Sequence, residues 1–190
     1  MLKVYLAGEI HSDWRNEIIE LCEKEKLDIK FTSPVADHES SDNCGVEILG
    51  AEEKNFWKDR KGANINSIRT KKSIQDSDVI IVKFGEKYKQ WNAAFDAGYA
   101  AALNKSIIVI QNEDHQHALK EVDAAASAVA LDQKQAVRIL KYVLEVVMDE
   151  KGGEDIDSAM GISYGFKKMP FSFKLSFNTL LNYGIIKPLN

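Results

Sequence analysis

The sequence predicts an α/β protein built on a parallel sheet, and three observations carry that expectation. Residues 79–82 and 107–110 are short runs rich in β-branched residues, the composition of strands covered on both faces. Between them, residues 93–103 are rich in alanine, whose small side chains let a helix lie close to a sheet. The chain also opens with a strand-like run, LKVYLAG, that passes at once into a helical pattern. Strand, helix and strand in that order form a right-handed crossover. Its loop, residues 83–90, and the first helical turn then emerge at the carboxyl edge of the sheet, where open α/β folds bind ligands.

Taken in order, LKVYLAG is the first strand and ends at Gly8. In HSDWRNEIIELCEKEKL, Trp14, Ile18, Leu21 and Cys22 recur at helical spacing, with Ser12 or Asp13 as the cap. DIKFTSP is the second strand, closed by Pro34, and it opens a polar excursion over residues 35–61 that reads as a long loop. NINSIRTKKSIQDSD predicts a helix with Ile65, Ile68 and Ile74 inward and a basic face. After the central unit, AAASAVA supplies a short fifth strand. DQKQAVRILKYVLEVVMDE is an amphipathic closing helix with Val137, Leu140, Val143 and Leu144 buried. Residues 1–149 thus form one domain. Residues 150–190 are a glycine-bearing linker and a tail that carries no acid after Asp157. That tail is either a docking arm presenting Phe166, Phe171, Phe173 and Phe177 or an extension without fixed order.

Composition narrows the class. At 190 residues and 45% hydrophobic, the chain can bury one good core and carry an appendage. A formal net charge of -4 gives no general attraction to nucleic acid or anionic lipid, so neither is an expected partner. Cys22 and Cys44 form no CxxC spacing and no disulfide framework, and they read as reduced thiols. The N-terminal apolar run is too short for a signal peptide, and no run of 18 apolar residues occurs, so a cytoplasmic location is expected.

Few residues stand out as chemistry. Asp96 lies near the start of an otherwise apolar helix at the ligand-binding edge, which makes it the first candidate; a carboxylate that favours the helix dipole is the plainer alternative. The turn after Gly8 holds one glycine instead of GxGxxG, so no dinucleotide cofactor is expected. A small backbone pocket for phosphate or sugar stays open there. Asp37, His38, Glu39 and Asp42 match no ligand spacing, and His115 and His117 fall on different helical faces, so no metal is expected.

Three stretches, VYLAGEIHSDWR, SDVIIVKFGEKYKQWNAAFDAGYAAALNK and HALKEVDAAASAVA, closely resemble the YtoQ family, a branch of the nucleoside 2-deoxyribosyltransferase-like group. The resemblance covers about residues 1–147. It implies a flavodoxin-like three-layer sandwich with five parallel strands in the order 2-1-3-4-5. It further implies a nucleoside or nucleotide substrate whose anomeric carbon is attacked by a carboxylate, and an oligomer with active sites built between subunits. Asp96 takes the place of the group's nucleophilic glutamate in NAAFDAG, and Tyr5 that of the strand tyrosine which orients it. Beside these two, Gly8, Glu9, His11, Arg15, Arg69, Phe84, Gln90 and Asn92 are the candidates for substrate binding, with Arg15 or Arg69 on a phosphate. The sequence departs from the pattern at Thr70 and Gln90, where the group has aspartates that handle base and sugar, and at Asn92 and Ala93, which replace a glycine and a threonine. A non-catalytic nucleotide or nucleotide-sugar binding module that kept the pocket and lost these acids is the alternative function.

Overall fold

The computed structural model describes residues 1–35, 38–86 and 90–149, and the chain divides into two units after Val137. The strands are β1 (Leu2–Gly8), β2 (Ile29–Thr32), β3 (Val79–Lys83), β4 (Ser106–Ile110) and β5 (Ala128–Ala130). The helices are α1 (Trp14–Lys24), α2 (His38–Leu49), α3 (Asn55–Asp76), α4 (Trp91–Ala102), α5 (Lys120–Ala125) and α6 (Gln133–Asp149), with a short 3-10 turn over Glu113–His115. All strand pairs are parallel and the order is β2-β1-β3-β4-β5. This is the flavodoxin-like arrangement. Its topological switch point lies between β1 and β3, from which the chain leaves to opposite sides.

The pleat divides the central strands between two cores. Tyr5, Ala7, Ile80, Val82, Ile107 and Val109 share one buried cluster with Ile74 of α3 and Ala93, Ala97 and Ala100 of α4. The alanines fall at i, i+4 and i+7 and give α4 a flat face toward the sheet. Val4, Leu6, Ile81 and Ile108, buried as well, point the other way, and α1 buries Trp14, Ile18 and Cys22. Gly8 has φ +101, and a Cβ there would strike the Lys83 carbonyl. That freedom lets the chain turn while the Glu9 N–H still bonds the Lys83 oxygen at 3.0 Å.

Three expectations need correcting. The excursion over residues 35–61 is not a long loop, because α2 and the start of α3 fold into an antiparallel helical pair. Their backbones nearly touch where a Cβ on Gly45 would meet the Gly62 nitrogen. The Asn66 amide donates to the Ser41 carbonyl at 3.0 Å, and Lys61 closes the end of α2 through the Gly50 carbonyl at 2.9 Å and Glu52 at 2.7 Å. A pair joined by small residues and polar clamps carries little hydrophobic periodicity. Ile68 is 70% exposed, whereas Ile74 is fully buried. In the unit Arg138–Asn190, Leu140 is buried, Val143 is exposed and Leu144 only half-buried. The side chains of His38, Glu39 and Asp42, Asp37 itself, and the linker and aromatic tail over residues 150–190 lie outside the described residues.

Candidate active site

The predicted residues fall into two groups, one around Asp96 and Tyr5 and one in the β1–α1 loop. The first centres on Asp96. It lies in the second turn of α4, half-buried between Ala93 and Ala100 on the helix that packs against the sheet. It makes no hydrogen bond or ion pair among the described residues. Burial pushes its pKa up to about 6.

Tyr5 reaches the same place from β1. The residue is fully buried and its hydroxyl has no hydrogen-bond partner among the described residues. Burial pushes the phenol up to about 12; Thr70 approaches it without a regular hydrogen bond, and Asp96, Arg15 and Arg69 are close enough to act on its charge. Tyr5 is therefore a protonated donor at any ordinary pH. Asn92 lies four residues before Asp96, on the same flank of α4, and is exposed, as is Arg69 on α3.

The second group builds the β1–α1 loop. The Arg15 guanidinium donates to the carbonyls of Leu6 at 3.1 Å, Glu9 at 2.7 Å and Gly8 at 2.9 Å, and it stacks 4.7 Å from the Trp14 ring centroid. This corrects its reading as a phosphate ligand: a buried guanidinium spent on three carbonyls braces the loop. The Trp14 indole adds a bond to the Glu9 carbonyl at 2.7 Å. Glu9 is 6% exposed, and its carboxylate accepts the His11 N–H and the Ser12 hydroxyl. Ser12 thus serves Glu9 and does not cap α1; Asp13 takes the N-cap position without a side-chain cap bond.

Gln90 and Phe84 shape the neighbouring β3–α4 loop. The Gln90 side-chain oxygen accepts the Gly85 N–H at 3.1 Å, and Gly85 must lack a side chain because Glu9 Cγ fills that space. Phe84 is nearly buried. A cavity of about 310 Å³ opens beside these two loops, lined in part by Glu9, His11, Lys83, Phe84 and Gln111. Asp96, Tyr5, Thr70 and Arg69 are not in its walls, so the predicted substrate-binding residues divide between two adjoining places.

Lys83, Ser12, Gln111 and Asn112 were absent from the candidates that sequence reasoning offered. One signal was available for the last two: a polar pair directly after an apolar parallel strand stands at the carboxyl edge. Gln111 is 4% exposed; its amide donates to Asp123 at 2.7 Å, and its oxygen, like that of Asn112, has no partner among the described residues. Among the described residues no three His, Cys, Asp or Glu side chains gather as a metal set, and no helix is long and apolar enough to cross a membrane.

Comparison with known proteins places this geometry in a family context. The family described as "Nucleoside 2-deoxyribosyltransferase YtoQ" matches residues 5–144. The uncharacterized protein YtoQ of Bacillus subtilis (strain 168) is 46% identical over 142 residues, which span 75% of this chain and 96% of that protein. Among solved structures, the 2-deoxyribosyltransferase of the psychrotolerant bacterium Bacillus psychrosaccharolyticus aligns at a TM-score of 0.44 and 16% identity, over 71% of this chain and 90% of its own.

Proposed function

The chain belongs to the nucleoside 2-deoxyribosyltransferase YtoQ family, and on that premise we propose that it processes N-glycosidic bonds of nucleosides or nucleotides, with Asp96 acting at the anomeric carbon. The observation that carries this reading is the state of Asp96: a half-buried carboxylate without a hydrogen bond or ion pair among the described residues, raised to about 6, beside a buried and unpartnered Tyr5 hydroxyl. A structural carboxylate is satisfied by its neighbours. This one is held ready for a partner that comes from outside.

The chemistry follows from its charge. At neutral pH a group with a pKa near 6 is mostly ionised, and burial makes it more basic and less hydrated than a surface aspartate. It attacks C1′ as the bond to the base breaks, forming a glycosyl ester. The negative charge favours the oxocarbenium character of the transition state, and water or a second base then releases the sugar. Tyr5, always protonated, is the donor nearest that carboxylate, and a hydrogen bond made as the ligand binds would fix its orientation. Trp91 and Phe95, 75% and 65% exposed on one face of α4 beside Asp96, are apolar surface that a second subunit would cover, in keeping with the oligomer that the family resemblance implies.

A binding module without turnover is the second reading, and one observation favours it: Thr70 and Gln90 supply no carboxyl to protonate a departing base, and the Gln90 amide is already committed to Gly85. Incubation with a panel of nucleosides and nucleoside monophosphates, with free base measured by chromatography, separates the two. Release of base that falls about 10²-fold or more in Asp96→Asn supports the enzyme. Binding without any release supports the module.

A further inference from the structure

We propose that Glu9 is a specificity residue: its carboxylate fills an anion-binding nest at the sheet edge and so keeps phosphorylated ligands out, which selects the unphosphorylated nucleoside as the substrate class. The inference rests on the nucleoside reading of Asp96 for its biological meaning. The nest itself stands on geometry alone.

Two donors come from the β1–α1 loop and a positive charge from the end of β3. The His11 N–H and the Ser12 hydroxyl both point at the Glu9 carboxylate from the β1–α1 loop. The Lys83 ammonium, at the end of β3 on the wall of the same cavity, makes no direct bond to Glu9 but adds its positive charge to the carboxylate's surroundings. Backbone N–H groups, a hydroxyl and a lysine at the switch point of a parallel sheet are what an open α/β fold offers a phosphate. Here the chain supplies the anion itself. Burial works to raise the Glu9 pKa, yet the Ser12 hydroxyl, the His11 N–H and the Lys83 charge outweigh it and the net shift is downward. The carboxylate therefore stays charged and in place.

Position makes this a matter of substrate choice. Glu9 Cγ lies against Gly85, and Gly85 is tied by its N–H to Gln90 at the head of α4. From Gln90 to Asp96 is six residues of helix, about 9 Å. A sugar with its anomeric carbon at Asp96 and its 5′ end turned toward the β1–α1 loop would bring a phosphate to this nest, where it would meet the Glu9 charge and find the loop donors occupied. Desolvating two like charges side by side is costly, whereas a neutral hydroxyl meets a ready acceptor.

The test measures binding and needs no turnover. Inorganic phosphate is titrated by calorimetry into the full chain, into Glu9→Ala, into the closer mimic Glu9→Gln, and into Glu9→Ala combined with Lys83→Met. The backbone bonds of Glu9 to Trp14 and Arg15 survive these changes, and thermal melts verify the fold. The expected result is negligible phosphate binding to the unmodified protein, a gain of about 10-fold or more in Glu9→Ala or Glu9→Gln, and loss of that gain when Lys83 is also replaced. No gain in either Glu9 variant overturns the proposal, whether or not the unmodified protein binds phosphate, as does a gain indifferent to Lys83. Because Asp96 is untouched and no reaction is followed, these outcomes are independent of whether the protein cleaves nucleosides.

Discussion

Arg15 donates to the Glu9 carbonyl oxygen at 2.7 Å, and with that bond a cation that the sequence offers to a ligand becomes the brace of a loop. The same guanidinium holds the carbonyls of Leu6 and Gly8, so β1 cannot fray at the point where Glu9 and Tyr5 are placed. Arg15→Met should therefore cost about 2–4 kcal/mol, the scale of a buried charged group that leaves several acceptors unpaired. Urea unfolding checks this. An unchanged midpoint with weakened ligand affinity would return Arg15 to the list of ligand contacts.

Asp96 should weaken the fold that carries it. Its pKa rises from 3.8 in the unfolded chain to about 6 in the folded one, so folding favours the protonated form. The group costs nothing below about pH 4, its penalty grows as the unfolded chain alone loses the proton, and the penalty is complete above about pH 6. Asp96→Asn should thus match the unmodified protein in stability near pH 4 and exceed it by on the order of 1–3 kcal/mol at pH 8. Denaturation at the two pH values decides. A variant less stable at pH 8 would mean that the carboxylate has a native partner.

Activity should follow the opposite course. If ionised Asp96 is the nucleophile, turnover rises as pH passes through about 6 and then levels. A rate that falls across that interval would assign the protonated acid the essential role.

Tyr5→Phe deletes a buried hydroxyl that has no partner among the described residues. Stability should hold or rise by up to about 1 kcal/mol, since no hydrogen bond is lost. Base release should drop about 10-fold or more if the hydroxyl orients the carboxylate. Loss of stability with unchanged turnover would make Tyr5 a packing residue only.

Gly45→Val should pry α2 from α3, because its side chain would enter the space of the Gly62 backbone. A loss above about 2 kcal/mol is expected, with hydrogen exchange accelerating in α2 ahead of the sheet. Equal protection in both would show that the two helices part as easily elsewhere.

The residues alone announced the parallel sheet and singled out Asp96 as a candidate for chemistry, while its role as nucleophile came from family resemblance. β-branched runs separated by an alanine-rich helix permit little besides a parallel crossover, and that geometry alone carries Asp96 to the carboxyl edge. The strand order came from family resemblance, since periodicity is the same whichever neighbour a buried strand takes. The tertiary structure decided the rest, for reasons of partnership that no local pattern records. α2 is a helix because Gly45 meets Gly62 and Asn66 meets Ser41, contacts across 17 and 25 residues of chain. Arg15 and Glu9, equally plausible as ligand groups in one dimension, are consumed by backbone groups and the Ser12 hydroxyl, while the Tyr5 hydroxyl and Asp96 find no hydrogen-bond partner among the described residues. A polar side chain serves the fold or the ligand according to whether its hydrogen bonds are already made, and only folding makes them.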